Sequence, residues 1–145
     1  METIEKIEAF IDEHHVLSLA TVQEDLVSAC SLFYAYDKES HTFVVASSKD
    51  TEHIQNILHN PKVAGNILLE TKEVGKIQGL QFKAKMELLE DKSLKHLYFK
   101  RFPYAVALLP TLWQINVDFF KLTDNRLGFG KKLIWSKNSE VKSNG

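Results

Sequence analysis

The chain contains 145 residues, of which 44% are hydrophobic and 26% are charged, and its formal net charge is -1. These values are typical of one globular domain that buries a substantial core, and they argue against a protein that coats nucleic acid. Cys30 is the single cysteine, which excludes an intramolecular disulfide and a cysteine-based zinc site and favours a reducing compartment.

The first segment of the chain is amphipathic. Apolar residues recur at steps of three and four from Ile4 to Ile11, which predicts a helix over residues 3–14. The segment lacks the apolar core and the cleavage site of a signal peptide, and the chain contains no apolar run near the roughly 18 residues of a membrane span. We therefore expect a cytoplasmic protein with neither a membrane nor a nucleic acid as its partner.

Six later segments have the composition or the alternation of β-strands. The clearest is the run from Gly79 to Leu88, in which apolar and polar side chains alternate over ten residues. The first three candidates are separated by short polar turns, which predicts three consecutive antiparallel neighbours. The six candidates are residues 16–23, 26–36, 41–48, 63–70, 76–90 and 111–123.

Helical segments interrupt these strands. One helix is expected through Ile54 and Leu58, a second is capped by Asp91, and a short third runs from Tyr104 to Leu109. A mainly β (α+β) fold, a small six-stranded antiparallel barrel with peripheral helices, accounts for this order, because closure removes sheet edges that would otherwise aggregate. A ferredoxin-like α+β sandwich is the alternative.

The stretch from Ser47 to Pro61 is the main candidate for ligand binding, because small hydroxyls and a lysine join a strand to a helix. The first N–H groups of a helix lack intrahelical partners and carry the positive end of its dipole, so they can hold a phosphate. His53 in the first turn can add a donor. The local sequence by itself favours plain capping by Ser48 or Asp50. The residues at this helix start are Ser47, Ser48, Lys49, Asp50 and Thr51.

Other chemistries find little support in the sequence. His14 and His15 are adjacent and project from different sides of a helix, and no paired-histidine zinc motif is present, so we predict no metal site. Cys30 lies within an apolar strand, which favours a structural thiol over a nucleophile. The glycine turn at residues 128–132 is interpreted as a simple turn and the aromatic segment at residues 99–106 as packing, with anion or ring binding as the alternatives.

The order of strands and helices resembles that of the FMN-binding split-barrel superfamily, typified by pyridoxamine 5′-phosphate oxidase. More narrowly, the chain is similar to the bacterial YhbP-like branch. The resemblance extends to about Trp135 and implies one split-barrel domain over residues 1–135, followed by a flexible tail at residues 136–145. The runs that carry the resemblance are SSKDTEHIQNILHNPKVAG, VSACSLFYAYD, GLQFKAKMELLE, KRFPYA and TDNRLGFGKKLIW.

The resemblance implies a homodimer with two FMN sites at the subunit interface. In the superfamily, the FMN phosphate lies between the third strand and the next helix, and the isoalloxazine ring packs on the second and third strands. The partner subunit adds residues from a later strand and from the C-terminal region. The corresponding residues are Ser47, Ser48, Lys49, Thr51 and His53 for the phosphate, Ser31, Leu32, Phe33 and Ala46 for the ring, and Gln78, Gly79, Phe129, Lys131 and Trp135 for the partner's contribution.

The chain departs from the oxidase pattern at the phosphate segment. Glu52 and His53 replace an Arg-Lys pair, so positive charge must come mainly from Lys49 and from His53 when it is protonated. The residues that hold the oxidase's pyridoxal phosphate substrate have no counterparts, so that activity is not implied.

The sequence therefore predicts an FMN-binding protein, with flavin-dependent oxidation or reduction of a small molecule as one interpretation and no assigned catalytic residue. A different class remains open, namely a non-enzymatic carrier of flavin, haem or another planar ligand. A cofactor-free enzyme using Asp124 and His53 is a third and weaker hypothesis.

Overall fold

The computed structural model describes residues 2–138, which form three α-helices and eight β-strands. Short 3-10 helices occupy Val74–Lys76, Pro103–Leu108 and Asn125–Leu127. The helices are α1 (Thr3–Glu13), α2 (Glu52–His59) and α3 (Lys92–Arg101), and the strands are β1 (Val16–Gln23), β2 (Leu26–Phe33), β3 (Ala35–Asp37), β4 (Thr42–Ala46), β5 (Lys62–Leu68), β6 (Gln78–Leu88), β7 (Leu112–Asp124) and β8 (Lys132–Ser136).

All of these strands belong to one curled antiparallel sheet. Its order is β2-β1-β5-β6-β7-β4-β3, and β8 pairs with β7. The helices lie at the periphery, and Asp91 caps α3 by accepting hydrogen bonds from the N–H groups of Ser93 and Leu94. The predicted mainly β split-barrel class is confirmed, and the ferredoxin-like alternative is not observed.

The sequence predicted six strands, and each of the two additional strands has an identifiable cause. Tyr34 ends β2 because its side chain is buried and its hydroxyl donates to the Ile11 carbonyl oxygen at 2.7 Å. The short β3 follows. β8 forms because Gly128 and Gly130 adopt positive φ angles of 132° and 72°, which turn the chain back along β7.

The third predicted strand lies beside only the last residues of the second. β4 pairs with β3 and β7, and Ala46 at its end is opposite Leu112. The prediction of three consecutive neighbours is therefore correct for β1 and β2 and for residues 35–36 against β4, and it is wrong for residues 26–33, which lie at the other end of the strand order. The physical reason is burial: residues 42–45 are buried without alternation, and a strand buried on both faces belongs inside the fold rather than at the edge of a hairpin.

The inside of the curled sheet is filled by aromatic and aliphatic side chains. The Phe43 ring lies 5.1 Å from the Phe82 ring and 6.2 Å from the Phe120 ring, measured between centroids. α2 is joined to the β1–β2 hairpin by the side chain of Asn56, which donates to the hydroxyl oxygens of Thr21 at 3.1 Å and Ser28 at 2.9 Å. These buried bonds fix the helix against the barrel.

The other side of the sheet is exposed, and the side chains at its centre are small. Ala20 of β1 lies between Ala29 of β2 and Ala64 of β5 in the ladder. We call this surface the outer sheet face and define it by Ser18, Ala20, Ala29, Ser31, Ala64 and Asn66, all of which are exposed.

The predicted end of the domain at residue 135 falls one residue before the end of β8 at Ser136. The tail was predicted at residues 136–145, and its residues 139–145 lie outside the described part of the chain. The domain boundary and the flexible tail therefore stay predictions.

Candidate functional site

Ser47 begins the turn between β4 and α2, and its backbone is held from both sides. Its N–H donates to the Thr111 carbonyl oxygen at 3.1 Å, and its own carbonyl oxygen accepts the indole N–H of Trp113 at 2.8 Å. Trp113 is almost fully buried. The position of the Ser47 side chain is therefore set by the barrel rather than by a free loop.

Two hydroxyls and an imidazole meet at the N-terminus of α2. Nε2 of His53 lies 2.5 Å from Oγ of Ser47 and 3.3 Å from Oγ1 of Thr51. The Thr51 hydroxyl donates to the Ser48 carbonyl oxygen at 2.8 Å, so its oxygen can only accept toward the imidazole. We call Ser47, Thr51 and His53 the hydroxyl–imidazole cluster.

Plain capping by Ser48 or Asp50 is not what the structure shows. The Ser48 hydroxyl donates to the Asp50 carboxylate at 2.5 Å, and both side chains are exposed. The N-cap residue is Thr51, whose side chain makes no capping hydrogen bond. The first N–H groups of α2 are thus left without a side-chain cap from Thr51, which is the arrangement that an anion at a helix N-terminus uses.

The electrostatics of the cluster are set by its burial. Burial lowers the pKa of His53 below its usual 6.5, and the nearby Glu52 carboxylate partly opposes this effect. His53 is therefore uncharged at neutral pH in the free protein. Lys49 is exposed, and its carbonyl oxygen accepts from Nε2 of Gln55 at 2.7 Å, which ties the turn to α2.

The residues predicted to face the flavin ring divide between two environments. Ser31 and Phe33 are exposed on the side of β2 that carries the outer sheet face, whereas Leu32 points inward and packs on the core. Ala46 is half-buried beside α3. Phe33 is 56% exposed, so a flat aromatic surface is available next to Ser31.

Phe33 belongs to an aromatic group that the sequence did not reveal. The His15 ring stacks on the Phe33 ring at 5.9 Å with an interplanar angle of 14°, and Phe102 approaches Phe33 edge-on at 6.1 Å. His15 is exposed. Since these rings come from three separate parts of the chain, no local pattern could have brought them together.

The residues predicted to come from the partner subunit lie at the other end of the sheet. Ala46 is opposite Leu112 and Gln78 is opposite Asp124, and these are the first and last residues of the 13-residue β7. At about 3.3 Å per residue the two positions are roughly 40 Å apart along the strand. One subunit therefore does not bring the two groups together, and a shared site would need a second subunit.

These predicted partner-supplied residues differ in exposure. Gln78 is buried, and its Oε1 accepts from Nη2 of Arg126 at 3.1 Å. Trp135 is also buried, with its ring 4.4 Å from the His41 ring and 5.7 Å from the Phe120 ring. Phe129 and Lys131 are exposed, and the backbone of Gly79 is half-buried opposite Leu68 and Thr123.

The residue at the phosphate segment that sequence reasoning missed is Trp113. The sequence placed it only within the strand candidate at residues 111–123, yet its indole N–H reaches the Ser47 carbonyl oxygen 66 positions away. No signal within either segment indicates that contact. The pairing of β4 with β7 creates it.

The described part of the chain contains neither a metal-binding cluster nor a membrane-spanning helix. Within residues 2–138, no group of three or more His, Cys, Asp or Glu side chains is placed to hold a metal ion. Over the same residues, no helix has both the length and the apolar character that crossing a bilayer requires.

Comparison with known proteins first defines the class. The family profile described as pyridoxamine 5′-phosphate oxidase matches residues 3–113. Together with the curled antiparallel sheet, this match shows that the protein is a split-barrel protein of the pyridoxamine 5′-phosphate oxidase type.

Curated relatives narrow the class to one family. The chain is 35% identical over 142 residues to the UPF0306 protein YhbP of Escherichia coli, covering 96% of this chain and 97% of that one. It is 34% identical over 139 residues to a UPF0306 protein of Photorhabdus laumondii, covering 94% and 97%. The chain belongs to the UPF0306 family, and the resemblance to the YhbP-like branch is confirmed.

Solved structures share the fold at low sequence identity. A haem-binding protein from Mycobacterium smegmatis has a TM-score of 0.79 at 16% identity, covering 98% of this chain and 61% of that one. An FAD-binding protein from Mesorhizobium loti has a TM-score of 0.69 at 14% identity, covering 84% and 92%. A protein from Listeria innocua described as a putative pyridoxamine 5′-phosphate oxidase has a TM-score of 0.66 at 22% identity, covering 83% and 98%. At these identities the likeness concerns the fold.

Proposed function

We propose that the protein binds FMN, with the phosphate at the N-terminus of α2. The observation that carries the proposal is the hydroxyl–imidazole cluster, in which Ser47, Thr51 and His53 converge within 3.5 Å of one another beside the uncapped start of a helix. Hydroxyl groups, an imidazole and free backbone N–H groups are the donors that a phosphate accepts.

The residues present also fit the remainder of the cofactor. Phe33 and Ser31 offer an exposed aromatic and polar surface for a flat ring, and Lys49 is exposed beside the phosphate end. FMN, when bound, supplies hydride and electron transfer, while the protein anchors the phosphate and orients the ring. We therefore assign binding roles, with an oxidoreductase acting on a small molecule as the activity that such a site supports.

A homodimer is part of this proposal. The outer sheet face is exposed and has alanines at its centre, and Val27 and Phe33 beside it are 80% and 56% exposed. Exposed apolar side chains beside a flat surface of small residues are typical of protein interfaces. Within one subunit, the region around Gln78 and Phe129 is far from the phosphate segment. A second subunit would bring its own copy of that region to the site.

The test is an FMN titration followed by quenching of flavin fluorescence. We expect saturable binding at micromolar FMN by the wild-type protein. The double variant Lys49→Ala/Thr51→Ala should lose at least tenfold in affinity while staying folded, because it removes one cation and one hydroxyl. The double variant Thr71→Ala/Lys72→Ala is the matched control, because Thr71 is half-buried like Thr51 and Lys72 is exposed like Lys49. Absence of binding at micromolar FMN would overturn the proposal.

A second candidate function is non-enzymatic binding of haem. It is favoured by the exposed His15 imidazole beside the aromatic surface of Phe33 and Phe102, since haem needs an axial ligand and a flat apolar wall. A haem titration followed by the Soret band separates the two functions. Saturable haem binding that is lost in His15→Ala and kept in His96→Ala, together with no FMN binding, would establish the second candidate.

A further inference from the structure

The hydroxyl–imidazole cluster has too little positive charge for a dianionic ligand. The turn and first residues of α2 contain one cation, Lys49, and two carboxylates, Asp50 and Glu52. With His53 uncharged, the formal charge of residues 47–53 is therefore -1. A phosphomonoester with a charge near -2 would meet hydroxyls and a helix dipole but no net positive side-chain charge.

The elements packed against the helix supply no further cation to the cluster. α2 packs on β1, β2 and β6. β1 and the neighbouring β4 contain no Asp, Glu, Lys, Arg or His, and the one titratable residue of β2 is Cys30. The charged residues of β6 are exposed on the alternate positions that point away from the barrel interior. Lys49, Asp50, Glu52 and His53 are therefore the ionisable groups that decide the charge at the cluster.

We infer that His53 is the charge-supplying residue of the phosphate site, taking up one proton from solvent when a phosphomonoester binds. The proton goes to the imidazole ring, and Nε2–H of the now cationic ring donates to a phosphate oxygen. This inference rests on the proposed function and adds to it the identity of the group that provides the positive charge. No bond to phosphorus forms or breaks in this step.

The geometry supports this assignment because Nε2 lies against the two hydroxyls that are proposed to bind the phosphate. The two hydroxyl oxygens of Ser47 and Thr51 stand 2.5 Å and 3.3 Å from it, so an oxygen-rich environment surrounds this nitrogen. A negatively charged oxygen in the same position would raise the pKa of the imidazole, whereas burial lowers it in the free protein.

The direction of the pH dependence follows from linkage. The pKa of His53 is higher in the complex than in the free protein, so the additional binding energy is present at low pH and is lost as the pH rises through the pKa of the complex. Affinity for FMN should fall by up to about tenfold per pH unit over a defined range. That range begins at the second pKa of the phosphate, about 6, and ends at the pKa of His53 in the complex. Riboflavin has no phosphate and should show no such dependence.

The primary test needs no variant. Isothermal titration of the wild-type protein with FMN at about pH 7.5, in two phosphate-free buffers of different ionisation enthalpy, measures the number of protons exchanged on binding. We expect an uptake approaching one proton per FMN. FMN binding without proton uptake would overturn this inference and leave the proposed function intact, whereas absence of FMN binding would overturn both.

Variants identify the group that takes the proton. His53→Gln should abolish the uptake and, above the second pKa of the phosphate at about 6, make FMN affinity independent of pH. The loss of affinity relative to wild type should be largest near pH 6.5 and small near pH 8.5. His59→Gln is the matched control, because His59 lies at the other end of α2, is exposed and contacts the Gln55 carbonyl oxygen at 3.0 Å. Uptake that persists in His53→Gln, or that disappears in His59→Gln, would assign the proton elsewhere and overturn the inference.

Discussion

At the scale of single residues, burial decides what each polar side chain does. Glu8 of α1 is 8% exposed, and its Oε2 accepts the Tyr36 hydroxyl at 2.7 Å. Burial raises the pKa of Glu8 above the usual 4.5, and the bond from Tyr36 and the charges of His41 and Lys38 partly oppose this effect. Burial acts on His53 in the opposite direction because its charged form is the protonated one.

The raised pKa of Glu8 leads to a prediction about stability. The folded protein holds the Glu8 proton more tightly than the unfolded chain, so the free energy of unfolding should fall as the pH rises from about 4.5 through the folded-state pKa. Glu8→Gln keeps an acceptor for Tyr36 and removes the titrating proton. Its stability relative to wild type should therefore increase between pH 4 and pH 7, by about 1.4 kcal/mol for each unit of the pKa difference.

Urea unfolding at several pH values measures this difference. Glu5→Gln is the control, because Glu5 is exposed on the same helix and should give a curve parallel to that of wild type. The prediction fails if the Glu8→Gln curve is also parallel to the wild-type curve.

At the scale of elements, the contact between β1, β5 and β6 depends on one residue without a side chain. Gly65 of β5 is opposite Leu19 of β1 and Phe82 of β6. A Cβ atom at Gly65 would collide with the Phe82 ring and with the Ser18 carbonyl oxygen. The Phe82 ring is itself almost fully buried, and the carbonyl belongs to a strand in the middle of the sheet, so neither moves without disturbing the packing.

Gly65→Ala should therefore destabilise the protein by about 1–3 kcal/mol through overpacking. Gly75→Ala is the matched control, because a Cβ atom there meets no heavy atom of the described residues within 4 Å. The midpoint of urea unfolding, with an unchanged slope, measures both effects. Equal unfolding midpoints for Gly65→Ala and Gly75→Ala would contradict this prediction, because β5 would then accommodate the Cβ atom without a loss of stability.

At the scale of the whole molecule, the proposed dimer uses the outer sheet face to complete the site. Ala64 lies near the centre of this face, opposite Ala20 and Lys83 in the two flanking strands. If two subunits meet on this surface, a carboxylate introduced there would lose its hydration, and pairing with the opposite Lys83 would offset only part of that cost. In a monomer the same carboxylate would remain in water.

Ala64→Glu should therefore weaken a dimer at least tenfold and reduce FMN affinity with it, while each subunit stays folded. Light scattering after size-exclusion chromatography measures the oligomeric state, and Ala9→Glu on the exposed side of α1 is the control. A variant that remains as dimeric as wild type would contradict the use of the outer sheet face.

Much of the fold could be predicted from local patterns, because those patterns express physical requirements of the segments themselves. The alternation from Gly79 to Leu88 predicted β6, the periodicity from Ile4 predicted α1, and Asp91 predicted the start of α3. The break at Tyr34 was not predictable, since its cause is a hydrogen bond to Ile11, 23 positions away.

The sequence by itself determined that a strand ends in hydroxyls and a lysine just before a helix, because strand composition and helix periodicity are local properties. It also determined the family, through the runs around residues 47–65 and 123–135. The tertiary structure decided what those hydroxyls can do. β4 pairs with β7, Trp113 fixes the backbone of Ser47, and α2 turns His53 onto the two hydroxyls. The β4–β7 pairing and the bond from Trp113 join distant parts of the chain, so they exist only once the sheet has closed, and they hold Ser47 where His53, six positions along the chain, reaches it.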